Sequence, residues 1–226
     1  MRAKGDTLMT AAVDRCGTAL SFHSPDQLAL LDLLGGTTLV PVTGRNREAL
    51  ERVASPRFAD YRIVSHGALI YAPDGKPVAS WHARVNEQAI RIVDGMNMLV
   101  DVIGRRLGSN VAGLRIRVIE DGGVPVYVSV KAPVEFERVH AEEIVSLSVA
   151  VGGEWRVHCN GRNVAVLPPY ADKSAAVNHV MEIKRKSDPS AVFVGVGDSL
   201  TDLPFLKLCH FAVIPRDSQI QESLWP

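Results

Sequence analysis

The rhythm of apolar and polar residues changes twice along the chain and divides it into three stretches. Residues 7–13, Thr-Leu-Met-Thr-Ala-Ala-Val, form a short apolar run that stops at Asp14 and then Gly17. A run this short and continuous reads as a buried strand followed by a tight loop. Ser24-Pro25-Asp26 supplies a cap, a proline suited to the first helical turn and an acid near the helix start. Leu28, Leu31 and Leu34 give that helix an apolar face, and Gly35-Gly36 end it. Residues 37–42 and 62–64 read as further strands, with Asn46 as the cap of a helix between them. Pro73-Asp74-Gly75 reads as a turn between hairpin strands at 68–71 and 77–78.

The middle stretch has a different character. Ile90, Val93, Met96, Val100 and Ile103 recur at helical spacing, predicting a helix over residues 86–107. Residues 114–119 and 124–130 flank Asp121-Gly122-Gly123, and residues 155–158 and 164–167 flank Asn160-Gly161. Both patterns predict hairpins, with a helix near 141–149 between them. This helix–hairpin–helix–hairpin block reads as a separate small α/β unit.

After Pro168-Pro169 the earlier alternation returns, with a helix over 173–186, a buried strand at 191–196 ending on Gly197-Asp198, a short helix and a strand at 211–214. The outer stretches together predict α/β architecture, a parallel sheet with helices on both faces. The expected division is a core of residues 1–82 and 169–226 with an inserted α/β cap at 83–168.

Composition adds exclusions. The 226 residues are enough to bury a core, and 46% hydrophobic with 22% charged residues is ordinary globular usage. Lysine plus arginine and aspartate plus glutamate both number 25, so no broad cationic field for nucleic acid is expected. No apolar stretch approaches the roughly 20 residues of a membrane span. Cys16, Cys159 and Cys209 have neither metal-ligand nor disulfide spacing, which fits reduced thiols in a cytoplasmic protein.

Active sites of open parallel sheets form at the carboxyl ends of strands. Asp14, Thr43, Asp198 and Asp202 fall there, and Lys173 opens the helix after the insertion. Carboxylates suit a hard cation such as Mg²⁺, while a hydroxyl and a lysine suit phosphate oxygens. An aspartate is also able to attack phosphorus and split one difficult displacement into two. Taken singly, each of these residues reads better as a turn, a cap or a solvated side chain.

In combination they resemble a known family. Asp14-Arg15-Cys16-Gly17-Thr18 is similar to the first motif of the haloacid dehalogenase superfamily, Asp-x-Asp-Gly-Thr. Thr43-Gly44-Arg45, Lys173 and Gly197-Asp198-Ser199-Leu200-Thr201-Asp202 resemble its second, third and fourth motifs. Ser65-His66-Gly67-Ala68 resembles the Ser-Asn-Gly-Ala stretch that precedes the cap in one branch; the cap's position and α/β pattern resemble the sucrose-phosphate phosphatase and Cof-like branch, and Asn160-Gly161 through Pro168, running into Asp172-Lys173, resembles the sucrose-phosphate and mannosylglycerate-phosphate phosphatases. The resemblance implies a Rossmann-like core with a cap domain, and a Mg²⁺-dependent phosphatase acting on a phosphorylated small molecule, a sugar phosphate above all, through an aspartyl-phosphate. It implies Asp14 as nucleophile and metal ligand, the Cys16 carbonyl and Asp198 as further ligands, and Asp202 beside them. Thr43, Gly44 and Lys173 would bind phosphate, and Arg45 would meet substrate. Cys16 departs from the pattern, because phosphatases of the family carry there the aspartate that exchanges a proton with the leaving group. A thiol of reference pKa about 8.5 is a poor replacement. The alternative is a phosphate-ligand-binding or regulatory protein on the same fold. His66 is a second departure, standing where asparagine is usual; Arg156, His158, Asn160 and Arg162 line the last hairpin as candidates for substrate contact.

Overall fold

Strands β1 (Thr10–Val13) and β2 (Ala19–Phe22) open the chain as an antiparallel hairpin around the Asp14–Gly17 turn. The computed structural model describes residues 9–109, 111–134 and 138–224. Helix α1 (Pro25–Leu33) starts as its sequence dictates: Ser24 accepts from Gln27 N–H, and the Gln27 side chain accepts from Ser24 N–H. Asn46 caps the short α2 (Arg47–Leu50). Strands β3 (Arg62–Val64) and β4 (Leu69–Tyr71) pair antiparallel across a tight turn at Ser65–Gly67.

The middle of the chain builds the largest sheet. Helix α3 (Ala79–Leu107) is 29 residues long, and the residues that it buries, including Val85, Met96, Leu99, Ile103 and Leu107, follow the helical spacing of the sequence. It lies on β5 (Arg115–Asp121) and β6 (Val124–Lys131), while α4 (Arg138–Val151) packs on α3 and β7 (Arg156–Asn160). With β8 (Asn163–Leu167) the strands form an antiparallel sheet in the order β5-β6-β8-β7. Val124, Val126, Val128 and Val130 alternate into the core, as period two demands.

The chain then forms α5 (Lys173–Ser187), β9 (Val194–Val196), α6 (Leu203–Leu206), β10 (Phe211–Val213) and α7 (Gln219–Leu224).

The molecule is thus a mixed α/β protein, with three corrections to the expectations. The strand expected at 37–42 survives as a single parallel bridge between Val42 and Ile63. Parallel pairing otherwise occurs, among the described residues, between β9 and β10. The expected parallel sheet is therefore distributed over short pairs; β1 pairs with β2, and its Ala12 bridges Val53 antiparallel. The local hairpin wins because Thr18–Phe22 lies a short turn away, so pairing there closes the smaller loop. Third, the boundary expected between residues 82 and 83 lies within unbroken helix. Trp81 secures that first turn: it is buried, and its indole N–H donates to Ala68 O at 3.0 Å.

Candidate functional site

Three backbone segments meet at the start of α5. The Thr43–Arg45 loop runs beside β3, with Thr43 N–H donating to Ile63 O and His66 N–H donating to Thr43 O, each at 3.0 Å. Ser65 and His66 both adopt positive φ, 51° and 58°, and so fold the 65–67 turn back over Gly44. The imidazole of His66 covers Gly44 so closely that a Cβ there would lie 2.5 Å from its Cε1, so a side chain at 44 would displace the ring. Gly67, at φ +92°, meets the start of α5; a Cβ would come within 2.3 Å of Asp172 O. These approaches set the Thr-Gly-Arg loop, the Ser-His-Gly turn and Lys173 side by side.

Lys173 and Asp202 form the electrostatic centre. Lys173 Nζ donates to Asp202 Oδ1 at 2.6 Å, and both side chains are nearly buried, at 11% and 7% exposure. Asp202 Oδ2 accepts from the N–H groups of Asp198 and Ser199 at 3.3 and 3.2 Å. Burial works against the charge of Asp202, but Lys173 and these hydrogen bonds outweigh it and hold its carboxyl below the usual range. Asp172 caps α5 by accepting from Ser174 and Ala175 N–H, so the first amides of the helix are already engaged.

The four-stranded sheet supplies the opposite wall. Tyr127 and His158 meet the His66 ring edge-on, with centroids 5.2 and 5.5 Å away. Burial, then Lys173 and His158, drive the His66 pKa down to about 3, so its ring is neutral at physiological pH. His158 is lowered as well, by burial and then by Lys173, against the opposing pull of Asp202 and Asp198. Arg156 reaches across to Ala171 O at 2.6 Å and to Asp172 at 3.2 Å, fastening the sheet to the start of α5. At its other end the sheet is held by Asp121, whose carboxylate accepts from Arg47 N–H, the Ser65 hydroxyl and the Tyr71 hydroxyl at 2.9, 2.7 and 3.2 Å.

The structure therefore brings Thr43, Gly44, Lys173 and Asp202 into one neighbourhood, with His66 packed against it. Asp198 stands beside Asp202, its side chain toward solvent. Arg45 leans onto the helix that follows it, α2, donating to Ala49 O at 3.4 Å. Asp14 and Cys16 lie on the β1–β2 turn, where Asp14 Oδ1 accepts from Cys16 and Thr18 N–H and the Cys16 side chain is exposed. Among the described residues no three His, Cys, Asp or Glu side chains gather to hold a metal ion. The oxygens expected for Mg²⁺ are carboxylates and a carbonyl, the hard donors that suit the ion, but they are not gathered: Asp202 holds Lys173 and the Asp198 and Ser199 amides, and Asp14 is tied into the turn of the β1–β2 hairpin. A cavity of about 420 Å³ lined by Arg47, Phe58, Arg62 and Tyr71 shares none of the predicted site residues.

Sequence reasoning named Arg156 and His158 without choosing between them and their neighbours, and did not single out Tyr127 or Asp121. Hairpin alternation gave the face but not which end of it meets the core. No helix among the described residues is long and apolar enough to cross a membrane.

Comparison with solved structures shows that the chain shares its fold with several proteins named as sugar-phosphate phosphatases and with a nucleotidase. Sucrose-phosphatase from Synechocystis, solved with sucrose and phosphate, is 21% identical over 88% of this chain and 79% of its own, with a TM-score of 0.58. A trehalose-6-phosphate phosphatase related protein is 17% identical over 89% and 84%, at 0.52. IMP-nucleotidase from Plasmodium falciparum is 8% identical over 95% of this chain and 64% of its own, at 0.60. No family model and no curated protein matches the sequence.

Proposed function

We propose that this protein is a phosphoric monoester hydrolase acting on a phosphorylated small molecule, a sugar phosphate first among the candidates. The observation that carries the reading is the buried Lys173–Asp202 pair, set beside the Thr43–Gly44 loop under a wall containing His66 and His158. An ammonium has three donors, and Lys173 spends one on Asp202, leaving two for phosphate oxygens in a poorly hydrated place. The Thr43 hydroxyl is a further donor; its oxygen already accepts from Arg45 N–H at 3.1 Å, which fixes where its proton is free to point. Asp202 stays ionised and holds Lys173 in place.

The domain reading goes with this one: a Rossmann-like core of residues 1–82 and 169–226 and a cap of 83–168, whose sheet faces the phosphate site. Asp14 is the proposed nucleophile, by its motif. Mg²⁺ dependence belongs to the same reading, through Asp14, the Cys16 carbonyl, Asp198 and Asp202. Those donors are not gathered here, so no chemical step is derived through the ion. The sugar phosphates and nucleotide of the neighbours' names support the substrate class by analogy of fold.

Hydrolysis of an aryl phosphate, with Mg²⁺ and then with chelator, tests the reading. Release of phosphate that chelator abolishes is the expected result, and no release from a broad panel of phosphate monoesters refutes turnover. A second reading, a phosphate-ligand-binding protein, is favoured by Cys16, which leaves the motif without its proton-exchanging carboxylate. Binding of a phosphonate without turnover of the matching phosphate is its signature.

A further inference from the structure

The cavity of about 420 Å³ that shares no residue with the predicted site is walled by three segments. Strands β3 and β4 form its floor, where Arg62 stands directly opposite Tyr71 and so on the same face. Helix α2 forms one wall, with Arg47 paired to Glu51 at 2.9 Å and set 5.0 Å from the centroid of the Tyr71 ring. The chain after α2 forms the other, with Val53, Pro56, Arg57 and Phe58. That wall is held from behind: Ala54 N–H donates to Ala11 O at 2.9 Å, and Ser55 O accepts from the His23 ring at 3.0 Å. Its side chains stay within reach of solvent, since Arg57 is exposed and Val53, Pro56 and Phe58 are half-buried. The volume falls within the roughly 300–1,000 Å³ of small-molecule pockets, so a ligand of modest size fits.

The charges around this cavity do not balance. Residues 46–76 carry four acids, and each is already paired: Glu48 with Arg15 and Arg52, Glu51 with Arg47, Asp60 with Lys184, and Asp74 with Lys76. Arg57 and Arg62 make no ion pair among the described residues. Arg62 Nη2 donates to Ala72 O at 2.8 Å, but its Nε is buried without a partner and its Nη1 makes no hydrogen bond among the described residues. Donors on a half-buried guanidinium are usually satisfied. The nearby counterweight is Asp121, whose carboxylate takes three hydrogen bonds, one of them from the Tyr71 hydroxyl, and pairs with no cation among the described residues. Two unpaired cations against one unpaired carboxylate leave a single positive charge to be met.

We propose that this cavity binds a second ligand, a small organic monoanion with one carboxylate on an apolar body. The carboxylate is taken up by Arg57 and by the free Nη1 of Arg62, guanidinium groups whose planar forks match it. The body lies against Val53, Pro56 and Phe58, a wall that an inorganic ion would leave unfilled. A single unmatched charge favours a carboxylate over a phosphate, which carries close to two at neutral pH. The site stands apart from Lys173 and Thr43, so this assignment and the phosphatase reading stand or fall separately.

Benzoate and benzamide, which share a shape and differ in charge, test it in backbone NMR titrations of the whole chain. Benzoate should shift amides between residues 47 and 62 and bind roughly tenfold more tightly than benzamide, the strength of one charge-assisted hydrogen bond. Arg57→Gln should abolish that preference without lowering the melting temperature, because Arg57 is exposed and has no ion-pair partner among the described residues to lose. Arg62→Gln should abolish it as well; should that variant unfold with loss of the bond to Ala72, Arg57→Gln decides alone. Equal affinity of the two compounds, or no saturable binding of benzoate, overturns the site. A preference that survives in Arg57→Gln overturns it too, as do benzoate shifts confined to the surroundings of Lys173 and Thr43.

Discussion

His66 provides the sharpest quantitative test, because its burial should make folding stability depend on pH in a defined window. The ring is 8% exposed, its Nδ1 is buried without a partner, and its pKa falls from 6.5 to about 3. A base whose folded pKa is depressed stays neutral in the fold and charges in the unfolded chain. Its contribution is therefore complete above the unfolded value of 6.5 and is lost as pH falls from there toward 3. Each pH unit inside that window costs up to about 1.4 kcal/mol. Between about pH 8 and pH 5 the loss comes to roughly 2 kcal/mol, a large part of a typical domain's stability. His66→Asn removes the titration, and asparagine tolerates the left-handed backbone at φ 58°. Urea unfolding followed by circular dichroism, run on both proteins across this range, isolates the term as a difference of slopes. Groups common to both proteins, His158 and Asp202 included, cancel to first order. Parallel stability–pH curves for the two proteins would refute the burial and neutrality of His66.

Two further predictions concern neighbouring residues. Gly67→Ala places a Cβ at 2.3 Å from Asp172 O at a positive φ, so it should cost roughly 2–3 kcal/mol in urea unfolding; an unchanged midpoint would mean that the turn does not abut α5 as described. Cys16→Asp should raise phosphate release, by up to ~10²-fold if proton transfer to the leaving oxygen is limiting. The gain should be larger for alkyl than for aryl phosphates, and a loss with either would show that the thiol suits the native chemistry.

Local elements were legible in the sequence where the code is local. Ser24-Pro25 started α1, Asn160-Gly161 turned β7 into β8, and helical spacing marked α3, although of its expected apolar face Met96 and Ile103 are buried while Ile90 is exposed. Lys173 and Asp202 were named for the site from motif order, and the structure pairs them. Long-range relations were less readable. Whether β1 pairs with a distant strand or with β2 depends on which partner wins a competition, and nothing within residues 10–13 decides it. The first hairpin's apolar residues do not betray the outcome either, since Leu20 and Phe22 remain exposed after pairing. His66 illustrates the same limit: its position in Ser-His-Gly was visible, but its burial arises from Gly44, Tyr127 and His158, three segments that only folding brings together.

The unbroken course of α3 changes how the two walls of the site are able to move. A helix of 29 residues is about 43 Å long and bends little, so it behaves as a lever arm rather than a linker. Its short end is pinned by Trp81 to Ala68, one residue past the Ser65–Gly67 turn that carries His66. A tilt of only about 5° at that fulcrum would sweep the Leu107 end through roughly 3 Å, by the same rise per residue. The β5 and β6 strands riding on the helix would share the stroke. Angular play of a few degrees beside His66 would thereby be geared up into a displacement about as wide as a water molecule at the opposite end of the arm.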